Sequence, residues 1–496
     1  MCLIKSVSVD ALFYWGFIRT MNILIVGNGF DLSHYLPTKY DHFMVAMDAI
    51  EKWDETKGDM GFDDLFGNLY EKEDYFFGYT KAMYKTDEIK ISLDQIEVLK
   101  EQLKDNVWYQ YFSDHVREVK TWIDFETKIK KALEVVFNFF EQVENLQKKT
   151  DWFGLEIHHR ESEYSIDNIV LRKNESYILS ILKILKGNFY YTTLKDSDMP
   201  WGDCEKDEVQ RTDDWNECHY KLNEIYTTNF KSYNEFNFQY VVNDLQLYLD
   251  RFIVLFKDYL SILECLNLQN KIKKNEIFND RNLLKIYSFN YTKTPEKIYN
   301  VKRIDFLHGN IESSNIVLGV SDLSVNILEK YNFYGFTKYH QKIFKKTNYK
   351  FLYENLVKIN DTRENIDFWS NSMITDTWKS PEQISSDQRA LHQWRTELKE
   401  MQGCIYIWGH SLDVSDENYI KEIFSINSEK YKNFEVVIFS FGKQAYFDHL
   451  CNLIHILGRE KVELWMKKGW LKFEENPDIA KLNGIEPVDL PKISAS

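Results

Sequence analysis

Apolar residues fall along this chain in two patterns. Five short runs are continuous: Ile23–Val26 (ILIV), Leu283–Phe289 (LLKIYSF), Ile316–Val320 (IVLGV), Cys404–Gly409 (CIYIWG) and Phe434–Phe441 (FEVVIFSF). A strand covered on both faces has no polar side to alternate with, so these runs predict parallel strands between helical layers. Phe306–Gly309 (FLHG) adds a short strand end. Elsewhere the period is helical. Trp122, Phe125, Ile129, Leu133, Phe137 and Phe140 recur at three- and four-residue steps, and Asn243–Leu266 behaves the same way. Further on, Ser380 reads as an N-cap and Pro381 as a first-turn residue.

These elements predict an α/β fold, a Rossmann-like, mostly parallel sheet with large α-helical insertions. The core pieces are 21–50, 281–322 and 401–475. A helical insertion occupies 51–280, a second and mostly helical one 323–400, and a tail 476–496. Inserted helices in such chains lie over the carboxyl ends of the strands, where ligands of open α/β sheets bind. Residues 1–20 read either as an extension upstream of a natural start at Met21, or as a strand or helix covering a sheet edge.

Composition narrows the picture. A chain that is 44% hydrophobic and 28% charged is expected to be globular. Its apolar runs are all too short for a membrane span, so a cytoplasmic location without membrane contact is expected. The net charge of −15 argues against a bulk nucleic-acid surface. The cysteines (Cys2, Cys204, Cys218, Cys265, Cys404 and Cys451) are scattered, and neither His158–His159 nor Cys218–His219 has zinc spacing. A reducing compartment and no metal are expected.

Candidate chemistry sits at the strand ends. After the first strand, Gly27, Asn28, Gly29, Phe30 and Asp31 form a strand–turn–helix start. Its glycines allow close backbone approach, and its amides suit a phosphate. Asp31 is placed to cap the helix or to bond a ribose hydroxyl. The run lacks a third glycine, because His34 and Tyr35 stand there, so alone it is equally a structural turn. Later strand ends carry Asn290, then His308 with Gly309, then Gly409, His410, Ser411 and Asp416. Four such ends converge on one sheet edge. Read alone, His308 is a strand-end histidine bonding backbone, Asn290 a turn residue and His34 a helix-face residue. In WIDFE, Asp124–Lys128 and Glu126–Lys130 read either as ordinary i,i+4 pairs on a solvated face or as carrying an acidic lid residue that closes on the core.

The set GNGFDLSHYLPTKYDHF, WIDFE, FNYT, HGN and GHSLDVSDENYI, in this order, resembles the bacteriophage abortive infection AbiH family. More distantly, the motifs resemble the sirtuin-type NAD-binding core. GNGFD with LPT is similar to its glycine loop and following proline, FNYT to the segment supplying its asparagine, HGN to its histidine–glycine, and WGHSL to its late glycine–serine loop. The resemblance implies an abortive-infection defence protein acting on NAD, as an NAD glycohydrolase. It implies catalytic His308 and Asn290, with NAD held by Gly27, Asn28, Gly29, Phe30, Asp31, Pro37, Thr38, Gly309, Gly409, His410 and Ser411. His308, titrating near neutrality, would activate a hydroxyl or water. A phage-derived trigger and a homo-oligomer are further expectations. The sequence departs from sirtuins at Thr292, at Asn28 and Phe30, and in lacking a zinc module, which argues against protein deacetylation. Two alternatives stand beside NAD cleavage: a metal-dependent nuclease using Asp31, Asp124 or Glu126, and a non-catalytic nucleotide-binding sensor.

Overall fold

Six parallel strands organise the computed structural model: β1 (Asn22–Val26), β2 (Leu283–Ser288), β3 (Ile304–Phe306), β4 (Gly403–Trp408), β5 (Phe434–Ser440) and β6 (Leu471–Glu475). Their order is β3-β2-β1-β4-β5-β6. The direction of winding therefore reverses between β1 and β4. The structure describes residues 22–114, 122–148, 156–159, 171–188, 218–230, 233–273, 276–279, 283–348, 350–375 and 378–492. The expectations for residues 1–20, Cys2 and Cys204 fall outside these.

Alternate strand residues feed two separate cores. Leu24, Val26, Ile286, Trp408, Val437 and Phe439 face one layer, whereas Ile23, Ile25, Tyr287, Ile405, Ile407, Val436 and Ile438 face the other. Both sides are buried, which is why the runs are continuous. After β1 comes the short helix α1 (Asn28–Ser33). The first layer is built by α2 (Trp122–Gln147) and α3 (Phe238–Glu264), whose stripes include Phe125, Ile129 and Leu133, and Leu249, Phe252 and Phe256. Each fully buried side chain of this kind stabilises the fold by about 1.5–3 kcal/mol. Past the short helix α4 (Lys338–Phe344), the other face is covered by helix Tyr353–Thr375, α5 (Pro381–Glu400) and α6 (Gly442–Leu457); Ile359, Ile366, Leu391, Leu398 and Leu453 belong to that core. Ser380 caps α5 as expected. Its hydroxyl accepts from the Gln383 amide, and the Gln383 side chain accepts from the Ser380 amide.

Ile316–Val320 corrects the sequence reading. It is buried but forms no strand, apart from a bridge between Val320 and Thr337. Side chains satisfy much of its backbone instead. Gln341 bonds both the N–H and C=O of Leu318 (3.1 and 2.9 Å), Lys345 Nζ donates to Ile316 O (2.8 Å), and the Tyr291 hydroxyl donates to Val317 O (2.9 Å). An apolar run marks burial, and here burial did not require a ladder. The first insertion also holds small antiparallel sheets, including Glu156–His159, Leu185–Asn188 and Cys218–Leu222, which the helical reading passed over. No helix among the described residues is long and apolar enough to cross a membrane.

Candidate active site

The loop after β1 is fastened to the loop after β4. The Gly27 N–H donates to Trp408 O (3.0 Å), Gly29 N–H to Gly409 O (2.8 Å), and Phe30 N–H to Gly27 O (2.8 Å). Gly409 has φ +72, and a Cβ there would lie 2.0 Å from Phe30 N; a Cβ on Gly29 would lie 2.7 Å from Gly409 Cα. The glycines let two backbones touch. The amides of Gly27, Gly29 and Phe30 are thus already bonded within the protein. Phe30 itself is buried against Trp408, Tyr299 and His34.

His34 is not on an open helix face. It is buried, with Nδ1 2.7 Å from Phe30 O and Nε2 2.6 Å from the Tyr299 hydroxyl, and burial pushes its pKa down to about 4. Pro37 accepts the Tyr259 hydroxyl at its carbonyl. Thr38 borders a cavity of about 20 Å³ shared with Tyr84, Glu264, Thr292 and Thr294, room for about one water.

Past β2, the segment Phe289–Thr292 threads the polar groups together. Asp31 does not cap α1; its Oδ2 accepts the Thr292 hydroxyl at 2.6 Å. Burial pushes the Asp31 carboxyl up to about 6, opposed by the hydroxyls of Thr292 and Thr294 and by the nearby Asn290 amide. Asp31 Oδ1 and Asn290 Nδ2 are buried without a hydrogen-bond partner.

Next to them, Phe289 packs edge-on against both His308 and His410, with ring centroids 5.2 and 4.2 Å away. Asp416 lies between the two histidines. Its Oδ2 is 3.3 Å from His410 Nε2 and its Oδ1 is 3.7 Å from His308 Nε2. The Leu412 N–H donates to His410 Nδ1 (3.0 Å), so the ring proton of His410 sits on Nε2 and points at Asp416. His308 Nε2 and Asp416 Oδ1 have no hydrogen-bond partner, since 3.7 Å is too long for one. The expectation that His308 titrates near neutrality is overturned. Burial, then the ammonium groups of Lys342 and Lys338, push its pKa well below the usual range, so the imidazole is neutral. Burial works against ionisation of Asp416, but Lys338 and the hydrogen bond from His410 outweigh it and hold the carboxyl well below its ordinary pKa. Gly309 (φ +79) allows the turn after His308 to close on Asn315, while Ser411 is exposed at the rim with its carbonyl held by Asn452.

The insertions complete the cluster with residues the sequence reading did not assign. Glu126 on α2 pairs with Lys338 on α4 at 2.5 Å, and both side chains are largely buried. This replaces the solvated Glu126–Lys130 pair expected from spacing. Burial pushes the Glu126 carboxyl up to about 7 despite Lys338, with Asp416 and Asp413 adding repulsion. One turn along α4, Lys342 Nζ donates to the Tyr419 hydroxyl at 2.7 Å and lies 4.5 Å from the centre of that ring. Burial pushes its pKa down to about 8. Glu126 had a signal in WIDFE. The lysines had none, because an i,i+4 lysine pair is the usual mark of a solvated face.

Elsewhere, Asp41, His42 and Glu73 place ligand-type atoms within 4.8 Å of one another. Lys39 already pairs with Glu73, and Lys72 with Asp41. Among the described residues this group does not include Asp31, Asp124 or Glu126.

A family model, bacteriophage abortive infection AbiH, matches residues 23–440, which is most of the chain. No curated protein and no solved structure matches.

Proposed function

Because the chain belongs to the bacteriophage abortive infection AbiH family, and so to abortive-infection defence, we propose that it acts by hydrolysing the nicotinamide–ribose bond of NAD at the strand-end cluster. The observation that carries this reading is a set of buried polar atoms without partners: Asp31 Oδ1, Asn290 Nδ2, His308 Nε2 and Asp416 Oδ1. They come from the loops after β1, β2, β3 and β4. Buried polar groups are normally bonded, and unmet groups converging from four strand ends fit a polar ligand. The strand order 3-2-1-4-5-6 is that of doubly wound dinucleotide-binding sheets, which supports the same reading, and with it the sirtuin-like comparison.

In this reaction the C–N bond breaks with its electron pair leaving on nicotinamide, which becomes neutral. Positive charge builds on the ribose, and water adds to the anomeric carbon and loses a proton. The ionised Asp416 and the Asp31 carboxyl are suited to stabilise the ribose cation. Asn290 Nδ2 would hold a ribose hydroxyl or the water, and His308, neutral with a free ring nitrogen, would accept the proton. Gly27 to Phe30 hold the loops after β1 and β4 together rather than offering open amides, so this loop shapes the pocket through its packing. The enclosure of these groups favours one second reading, in which nucleotide binding signals without turnover. The test is cellular NAD during phage infection in strains carrying the wild type or His308→Ala. A fall in NAD that requires His308 supports hydrolysis. Defence without loss of NAD, with the nucleotide bound intact, supports the second reading, and unchanged defence in the mutant removes His308 from the chemistry.

A further inference from the structure

Resting on the reading of the strand-end cluster as a nucleotide site, we propose that Glu126 is an internal stand-in for the ligand's diphosphate, occupying Lys338 until a phosphate-bearing nucleotide displaces it. Lys338 belongs to the fixed part of the site. Its amide donates to Val320 O (2.8 Å), and α4 is stapled by Gln341 to Leu318 and by Lys345 to Ile316 O. That segment is tied in turn to the site, because the Val317 N–H donates to His308 O at 2.9 Å. The cation is therefore held in place by the core-side body, while the anion on it comes from α2 in the first insertion.

Glu126 is poorly held for a buried carboxylate. Only Oε1 meets Lys338, and Oε2 is buried with no hydrogen-bond partner. Asp416 and Asp413 repel it, and Asp416 also draws on the same ammonium. A phosphate carries more charge and more acceptor oxygens than a carboxylate and takes a charge-assisted bond more strongly. Lys342 supplies a second cation one turn away. No carboxylate among the described residues pairs with it, and its ammonium donates to the Tyr419 hydroxyl. Two ammonium groups at i and i+4 suit two linked phosphates better than one. The occupant inferred is the diphosphate of a nucleotide, with the Glu126 side chain swinging out as it enters.

The test is calorimetric binding of ADP and of adenosine to the full chain. At pH 8, where a carboxyl pushed up to about 7 is mostly ionised, Glu126→Gln should tighten ADP by about tenfold, since the competing anion no longer reduces the binding-competent fraction. Adenosine should be unchanged, and Lys338→Gln should remove the gain. In the wild type, saturating ADP should increase amide exchange around Glu126, a readout that needs no variant. Equal or weaker ADP binding by a folded Glu126→Gln protein would overturn the proposal, as would an equal gain for adenosine or unchanged exchange in the wild type. The arms separate this idea from NAD hydrolysis. ADP behaving as expected while NAD is left intact keeps the stand-in and removes the hydrolase. NAD consumption with no ADP selectivity in Glu126→Gln does the reverse.

Discussion

Replacing Lys338 by methionine should be among the most damaging single changes in this chain. Its ammonium lies 2.5 Å from Glu126 Oε1 and is the strongest influence holding the Asp416 carboxyl ionised, and the side chains of all three residues are largely buried. Methionine keeps the length of the side chain and removes the charge, leaving two carboxyls without the cation they share. Breaking a buried pair from one side costs about 3–5 kcal/mol. Glu126→Gln should cost far less, about 1 kcal/mol. Lys338 keeps Asp416 in that variant, and a carboxyl already pushed up to about 7 is only partly ionised at pH 7. The double variant should recover about 1–2 kcal/mol of the Lys338→Met loss, because one of the stranded acids is gone. Urea unfolding at pH 7, followed by tryptophan fluorescence and compared within the same transition, measures all three. A Lys338→Met loss no larger than that of Glu126→Gln would refute the reasoning, because it would mean water screens the pair as it does on a surface.

Three further outcomes are expected. His308→Ala and Asn290→Ala should each lower nicotinamide release from NAD by about a hundredfold to ten-thousandfold while circular dichroism stays unchanged. Gly409→Ala and Gly29→Val should both impair folding, seen as lost soluble protein or a lower Tm; an added Cβ meets backbone at 2.0 and 2.7 Å respectively, and Gly409 also needs φ +72. Finally, His34 is about 4 when folded against 6.5 when free. Between those values the unfolded chain binds the extra proton, so its contribution, about 3 kcal/mol, is present above pH 6.5 and lost as pH falls to 4. Asp31, pushed up to about 6, acts with the opposite sign in an overlapping range. The difference in stability between wild type and His34→Gln across that window is therefore the measurement, and a flat difference would contradict the buried neutral state.

The sequence by itself determined the elements whose signal is local. Continuous apolar runs gave β1, β2, β4 and β5, because a strand buried on both faces needs no polar partner positions. Three- and four-residue spacing gave α2 and α3, and Ser380–Pro381 gave the start of α5. The motif order pointed to the family. Only tertiary structure decided what those residues touch. Ile316–Val320 looks like a strand, yet Gln341, Lys345 and Tyr291 satisfy it from elsewhere in the chain. Gly27 and Gly29 look like a phosphate cradle, yet Gly409 of a distant strand end takes the space a side chain would need. Glu126 has the spacing of a solvated ion pair and Lys338 carries no signal at all, but they meet 2.5 Å apart across two insertions. Burial and charge contact between segments far apart in sequence leave no period and no spacing to read. The same burial moves His308 from near-neutral titration to a neutral imidazole, because the cost of charging a group depends on the water removed from around it and not on its neighbours along the chain.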